Sequence, residues 1–184
     1  MKDIGIHTIL LEGEGEILVT RDNQWGSNSA YLISKKKAGD EYTALRRDYR
    51  EHSQNHLGDA SQTILDGGDR RFAWSIKHND HNNTFGFQNE SSGRWLGVNE
   101  AGDITATASQ WLDWQTFKFK PSGFPGWISM WMSFKGHNLA VVKAESPAAN
   151  GLNHLKLAPH SSVPGNLFMF GEPLFVSSVR NLLS

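Results

Sequence analysis

The sequence predicts an all-β fold in which three four-strand repeats close into a barrel. Short alternating runs separated by turn residues argue for strands. The same order of four runs recurs along the chain, at a period of roughly 40 residues in the second and third passes. A closed barrel of three such units is a β-trefoil, and closure removes the unpaired sheet edges that each unit would otherwise expose.

In repeat one, strands are expected over 7–11, 16–20 and 30–33, with a turn at Gly13 to Gly15 between the first two. Its fourth strand is expected over 72–77, running from Phe72 to Lys77. Repeat two is the clearest. Strand 84–88 alternates and ends in the turn residues Asn89 to Gly93. A second strand covers 94–99, Ala101 and Gly102 reverse the chain, and a third covers 103–108. The fourth, 116–120, is apolar at Phe117 and Phe119 and cationic at Lys118 and Lys120. Repeat three reads as 128–134, 137–143, 153–157 and 167–170, with Met130, Met132 and Phe134 on one face of its first strand.

The stretch from Phe85 to Lys120 also carries a family likeness. Phe85-Gly86-Phe87, Gly93-Arg94-Trp95-Leu96-Gly97, Gly102 to Ala106 and Trp111 to Phe119 resemble one repeat of a fascin-like β-trefoil. The resemblance is fair in repeat three and poor in repeat one. It implies a fold more than a function, and it implies that Trp111 and Trp114 lie under the barrel as core. Trp95, Phe117 and Phe119 are expected in the core as well.

Repeat one departs from the pattern. From third strand to fourth, repeat two spans 103 to 116 and repeat three 153 to 167, whereas repeat one spans 30 to 72. An insertion therefore lies within 37–71 of a single domain covering 1–184. Its stretch 40–52 has the pattern of a helix, with Asp40 as N-cap and Tyr42, Leu45 and Tyr49 on one face. Five of the eight arginines fall in the insertion. It reads either as a solvated surface helix with ordinary ion pairs or as a roof presenting Arg, Tyr and His to a ligand.

Composition narrows the function. The net charge of -1 offers no cationic excess for counterion release, so nucleic acid is not an expected partner. Without cysteine there is no disulfide framework, thiol nucleophile or thiolate metal site. The N-terminus lacks the apolar core of a secretion signal, and no run approaches the roughly 18 apolar residues of a membrane span. A soluble cytoplasmic protein with no membrane partner is the expectation. His78 and His81, with Asp80 between them, suit a turn better than a metal site. Asp66 and Asp69 beside Arg70 and Arg71 likewise read as a polar turn, and neither metal nor organic cofactor is expected.

Two functions remain. One is a non-catalytic recognition module for a small ligand or glycan, with actin a weaker choice because bundling needs two sites. Its candidate ligand-stacking residues are Trp131, which shares strand parity with Ser129 and Ser133, and Trp25, which lies in a Gly/Ser/Asn loop. The other is a cofactor-independent cyclase, isomerase or lyase using Tyr42, Arg46, Tyr49, Arg50 and His52 beside an aromatic pocket. Because the insertion falls outside the repeat, replacing 40–69 with a short Gly/Ser link should leave a cooperatively folded barrel by circular dichroism and thermal melting. Loss of the melting transition would show that the insertion belongs to the core.

Overall fold

The computed structural model describes residues 1–13, 15–22, 28–40, 70–149, 151–163 and 165–171. Twelve strands follow one another: β1 (Lys2–Leu11), β2 (Glu16–Asp22), β3 (Asn28–Ser34), β4 (Trp74–Asn79), β5 (Thr84–Asn89) and β6 (Trp95–Val98), then β7 (Ile104–Ala108), β8 (Lys118–Pro121), β9 (Ile128–Phe134), β10 (His137–Lys143), β11 (Leu155–Leu157) and β12 (Leu167–Gly171). Every strand expected from the alternation is present. β1 begins earlier than expected, and its register against β4 shifts between Asp3 and Gly5.

Six strands form the barrel. β1 pairs with β4 along Lys2 to His7 and with β12 along Thr8 to Leu11, so the first strand joins the chain's last. β4 pairs with β5, β8 with β9, and β9 with β12. The circle closes between β5 and β8, where Phe85 and Phe117 exchange two backbone hydrogen bonds of 2.8 Å. Hairpins β2–β3, β6–β7 and β10–β11 cap one end of the barrel. They are tied to each other by Leu32 N–H to Asn153 C=O and by Leu157 N–H to Gly102 C=O, both 2.8 Å. This is a β-trefoil.

The alternation on each strand feeds one core. Ile9, Leu18, Phe87, Leu96, Met130 and Phe168 are among its buried members. Trp74 is fully buried, and its indole N–H donates to the Leu18 carbonyl at 3.1 Å, which satisfies the one polar atom it brings inside. Phe85, Phe119 and Phe170 pack partly buried against this core, and Phe85 stacks on Phe119 at 3.9 Å.

Repeat one buries both faces of its hairpin. Leu18 and Leu32 point into the barrel, while Ile17, Val19 and Ile33 form a second cluster covered by Ala38 and Phe72. The two flanks of the insertion therefore dock on the outer face of β2–β3. Residues 35–40 are helical. The Ser34 hydroxyl accepts from the Lys37 N–H at 3.1 Å, the geometry of an N-cap. Asp40, expected as the N-cap, is itself helical, because the strand hands over to the helix directly at Ser34. The rest of the inserted stretch, including Tyr42, Arg46, Tyr49, Arg50 and His52, lies outside the described residues. No described helix is long and apolar enough to cross a membrane.

Asn89 fastens repeat one to repeat two. Its buried carboxamide oxygen accepts from the Thr20 hydroxyl at 3.0 Å and from the Ser91 and Ser92 N–H groups, while Nδ2 donates to the Arg71 carbonyl at 3.1 Å. No smaller side chain replaces both the acceptor and the donor. Asn89→Ala should lower the unfolding free energy in urea by about 2–4 kcal/mol, since several buried groups lose their partners together. A loss within experimental error would show that water replaces the amide there.

Candidate functional site

Between β7 and β8 the chain makes a short 3-10 turn, Asp113–Gln115. Side chains hold its shape. The Gln115 Oε1 accepts from the Leu112 N–H at 3.3 Å, the Thr116 hydroxyl donates to the Leu112 carbonyl at 2.8 Å, and the Trp111 indole N–H donates to Thr116 Oγ1 at 3.1 Å. The turn sits directly on Gly97, where a Cβ would meet the Trp114 carbonyl oxygen at 2.5 Å and the Gln115 side chain at 2.7 Å. Only glycine lets β6 approach this closely.

This seat decides where the tryptophans go. Trp111 is half-buried and stacks on Trp95 at 5.4 Å, both lying over Gly86. Trp114 is 40% exposed and Leu112 61% exposed, so neither Trp114 nor Leu112 belongs to the core. The core placement expected for Trp114 is therefore corrected: Phe134 already fills that part of the barrel, and Trp114 meets it edge-on at 5.4 Å from outside. Phe117 is fully buried as expected; Trp95, Trp111 and Phe119 are only half-buried. Leu112, Asp113, Trp114 and Gln115 line an open cleft of about 460 Å³. An indole, a carboxylate and an amide thus share one small surface, with the Asp113 carboxylate exposed.

A smaller cleft of about 220 Å³ lies where the three capping hairpins meet. Tyr31 comes from repeat one, Asn99, Asp103 and Thr105 from repeat two, and His154 from repeat three. His154 Nε2 lies 3.5 Å from Asp103 Oδ1. These residues carry no local motif, so linear reading missed them. The available signal was positional: Tyr31 and Thr105 each lie between two buried residues on the third strand of their repeat.

The residues singled out from the sequence fall apart in space. Trp131 points away from the buried Met130 and Met132, as its parity requires, yet it is half-buried. The Lys120 ammonium lies over its ring at 3.7 Å, and its N–H donates to the Ser129 hydroxyl at 2.9 Å. Trp25, Asp66 and Asp69 lie outside the described residues. His78 uses both ring nitrogens locally, toward Asp80 at 2.8 Å and Asn83 at 2.9 Å, and stacks on Phe85. Among the described residues no group of three His, Asp or Glu side chains gathers to hold a metal.

No protein-family model and no curated protein matches the chain. Solved structures do. A cytolethal distending toxin structure from Haemophilus ducreyi aligns with a TM-score of 0.57 at 13% identity, over 93% of this chain and 85% of that one. The designed 3-fold symmetric protein ThreeFoil aligns at 0.56 and 12% identity, over 91% and 99% of the two chains. SeviL, in a structure bound to asialo-GM1 saccharide, aligns at 0.51 and 11% identity, over 92% and 98%. Identity this low establishes the shared β-trefoil fold and nothing finer.

The placement of Trp114 outside the core has a direct consequence for stability. Trp114→Ala should cost about 1–2 kcal/mol, one aromatic edge contact plus the burial of part of its ring. Phe117→Ala should cost about 3–5 kcal/mol, as for other large core truncations. Equal losses in urea melts would place Trp114 in the core after all.

Proposed function

We propose that this chain is a non-catalytic recognition module whose ligand is a glycan held at the Trp114 cleft. One observation carries the reading: a solvent-facing indole on a rigid turn, next to the exposed Asp113 carboxylate. A pyranose ring has an apolar C–H face and a rim of hydroxyls. The indole and Leu112 offer apolar surface to the first, and the carboxylate accepts hydrogen bonds from the second. The turn is locked by its own side chains, so little conformational freedom is lost when a ligand docks. The volume suits one or two sugar rings rather than a long oligomer. SeviL, whose structure holds the asialo-GM1 saccharide, supports the idea that this fold can serve the purpose.

The fascin-like resemblance points instead to actin, and a single trefoil would need a second copy to bundle it. The cyclase, isomerase or lyase reading rests on Tyr42, Arg46, Tyr49, Arg50 and His52, and no described residue speaks for it. A glycan array with the labelled full chain tests the proposal. Competable binding to one glycan class is expected, weakened at least about tenfold by Trp114→Ala. A blank array, or binding that Trp114→Ala leaves unchanged, overturns it.

A further inference from the structure

We propose that the cleft at the hairpin cap is a second ligand site, taking a neutral polyhydroxylated ring of monosaccharide size. Five polar side chains from all three repeats converge on its about 220 Å³, which no single repeat could form. The apolar residues Ala30, Ile104 and Ala148 also line it.

The polar groups are only partly committed. Asn99 spends its Oδ1 on the Ala101 and Asp103 N–H groups, both at 3.0 Å, and its Nδ2 makes no hydrogen bond among the described residues. Among the described residues Thr105 Oγ1 has only Thr107 Oγ1, at 3.4 Å. The Asp103 carboxylate, whose side chain is 42% exposed, has His154 Nε2 as its partner at a long 3.5 Å. His154 Nδ1 is buried with no hydrogen-bond partner among the described residues. Native interiors seldom leave such a nitrogen orphaned.

The ligand class follows from these groups. An anion would face Asp103. A cation would find a single carboxylate, Asp103, among the described lining residues, and that carboxylate already faces the His154 Nε2. A wholly apolar ligand would strip water from the carboxylate without replacing its hydrogen bonds. Adjacent hydroxyls can donate to Asp103 and accept from Asn99 Nδ2, while the C–H face of the ring meets the apolar lining and the Tyr31 ring.

Because the choice of probe rests on the glycan reading, the experiment must let the two fail separately. D-galactose, D-glucose and N-acetyl-D-glucosamine are titrated in turn into the full chain, following the His154 imidazole resonances by ¹H–¹⁵N NMR. A saturable shift with at least one sugar is expected. It should survive Trp114→Ala and weaken at least about tenfold in the near-isosteric Asp103→Asn, with Thr105→Val as a second, independent loss. The dispersion of the remaining spectrum reports whether each variant is folded. No saturable His154 shift with any of the three sugars, or a shift that persists unchanged in both cleft variants, overturns the proposal. If the shift holds while Trp114→Ala leaves array binding intact, the Trp114 reading falls and the cap cleft stands.

Discussion

The fold depends on β1 serving two other barrel strands at once. Its first half pairs with β4 and its second half with β12, so one strand joins the fourth strand of repeat one to the end of repeat three. Without that seam the sheet would be an open ribbon with long unpaired edges. Its inner face would also have nothing to pack against. β1 also carries a register shift between Asp3 and Gly5, where the Asp3 carboxylate is held under the usual carboxylate range by the Lys77 ammonium at 2.7 Å and by the Gly5 N–H. With the seam closed, every repeat turns the same apolar positions inward and the three share one core.

Threefold architecture does not enforce threefold chemistry. The barrel needs only inward positions to be apolar and close packed, so the outer faces and the loops are free to diverge. Repeat one uses that freedom to build a second apolar layer from Ile17, Val19 and Ile33, roofed by Ala38 and Phe72. Repeat two uses it to seat a tryptophan turn on Gly97. Repeat three binds back to repeat one through the buried Glu16, whose carboxylate pairs with the Lys143 ammonium. Each departure is local because the barrel beneath it is already complete.

Rigid seating also explains why the Trp114 surface is suited to recognition. The turn's shape is set by Gln115, Thr116 and Trp111 before any ligand arrives. The cap cleft is built differently: its polar groups are brought together by three separate hairpins, and the imidazole among them has a buried nitrogen with no partner among the described residues.

The sequence by itself determined the strands and their number. Side-chain alternation has a fixed period of two, so the residues that must face inward mark each strand without reference to the others. Parity also placed Met130 and Met132 inside and turned Trp131 outward. It did not determine what lies over an outward residue. Trp131 is roofed by Lys120 from the neighbouring strand, and Trp114, expected inside, stays out because Phe134 from another repeat already occupies the space. The start of the helix at Ser34 was equally hidden, since a strand that becomes a helix without a loop leaves no turn residue to announce it. The cap cleft was invisible for the same reason in its strongest form. Tyr31, Asp103 and His154 are far apart in the chain, and only the meeting of three hairpins at one end of a closed barrel makes them neighbours.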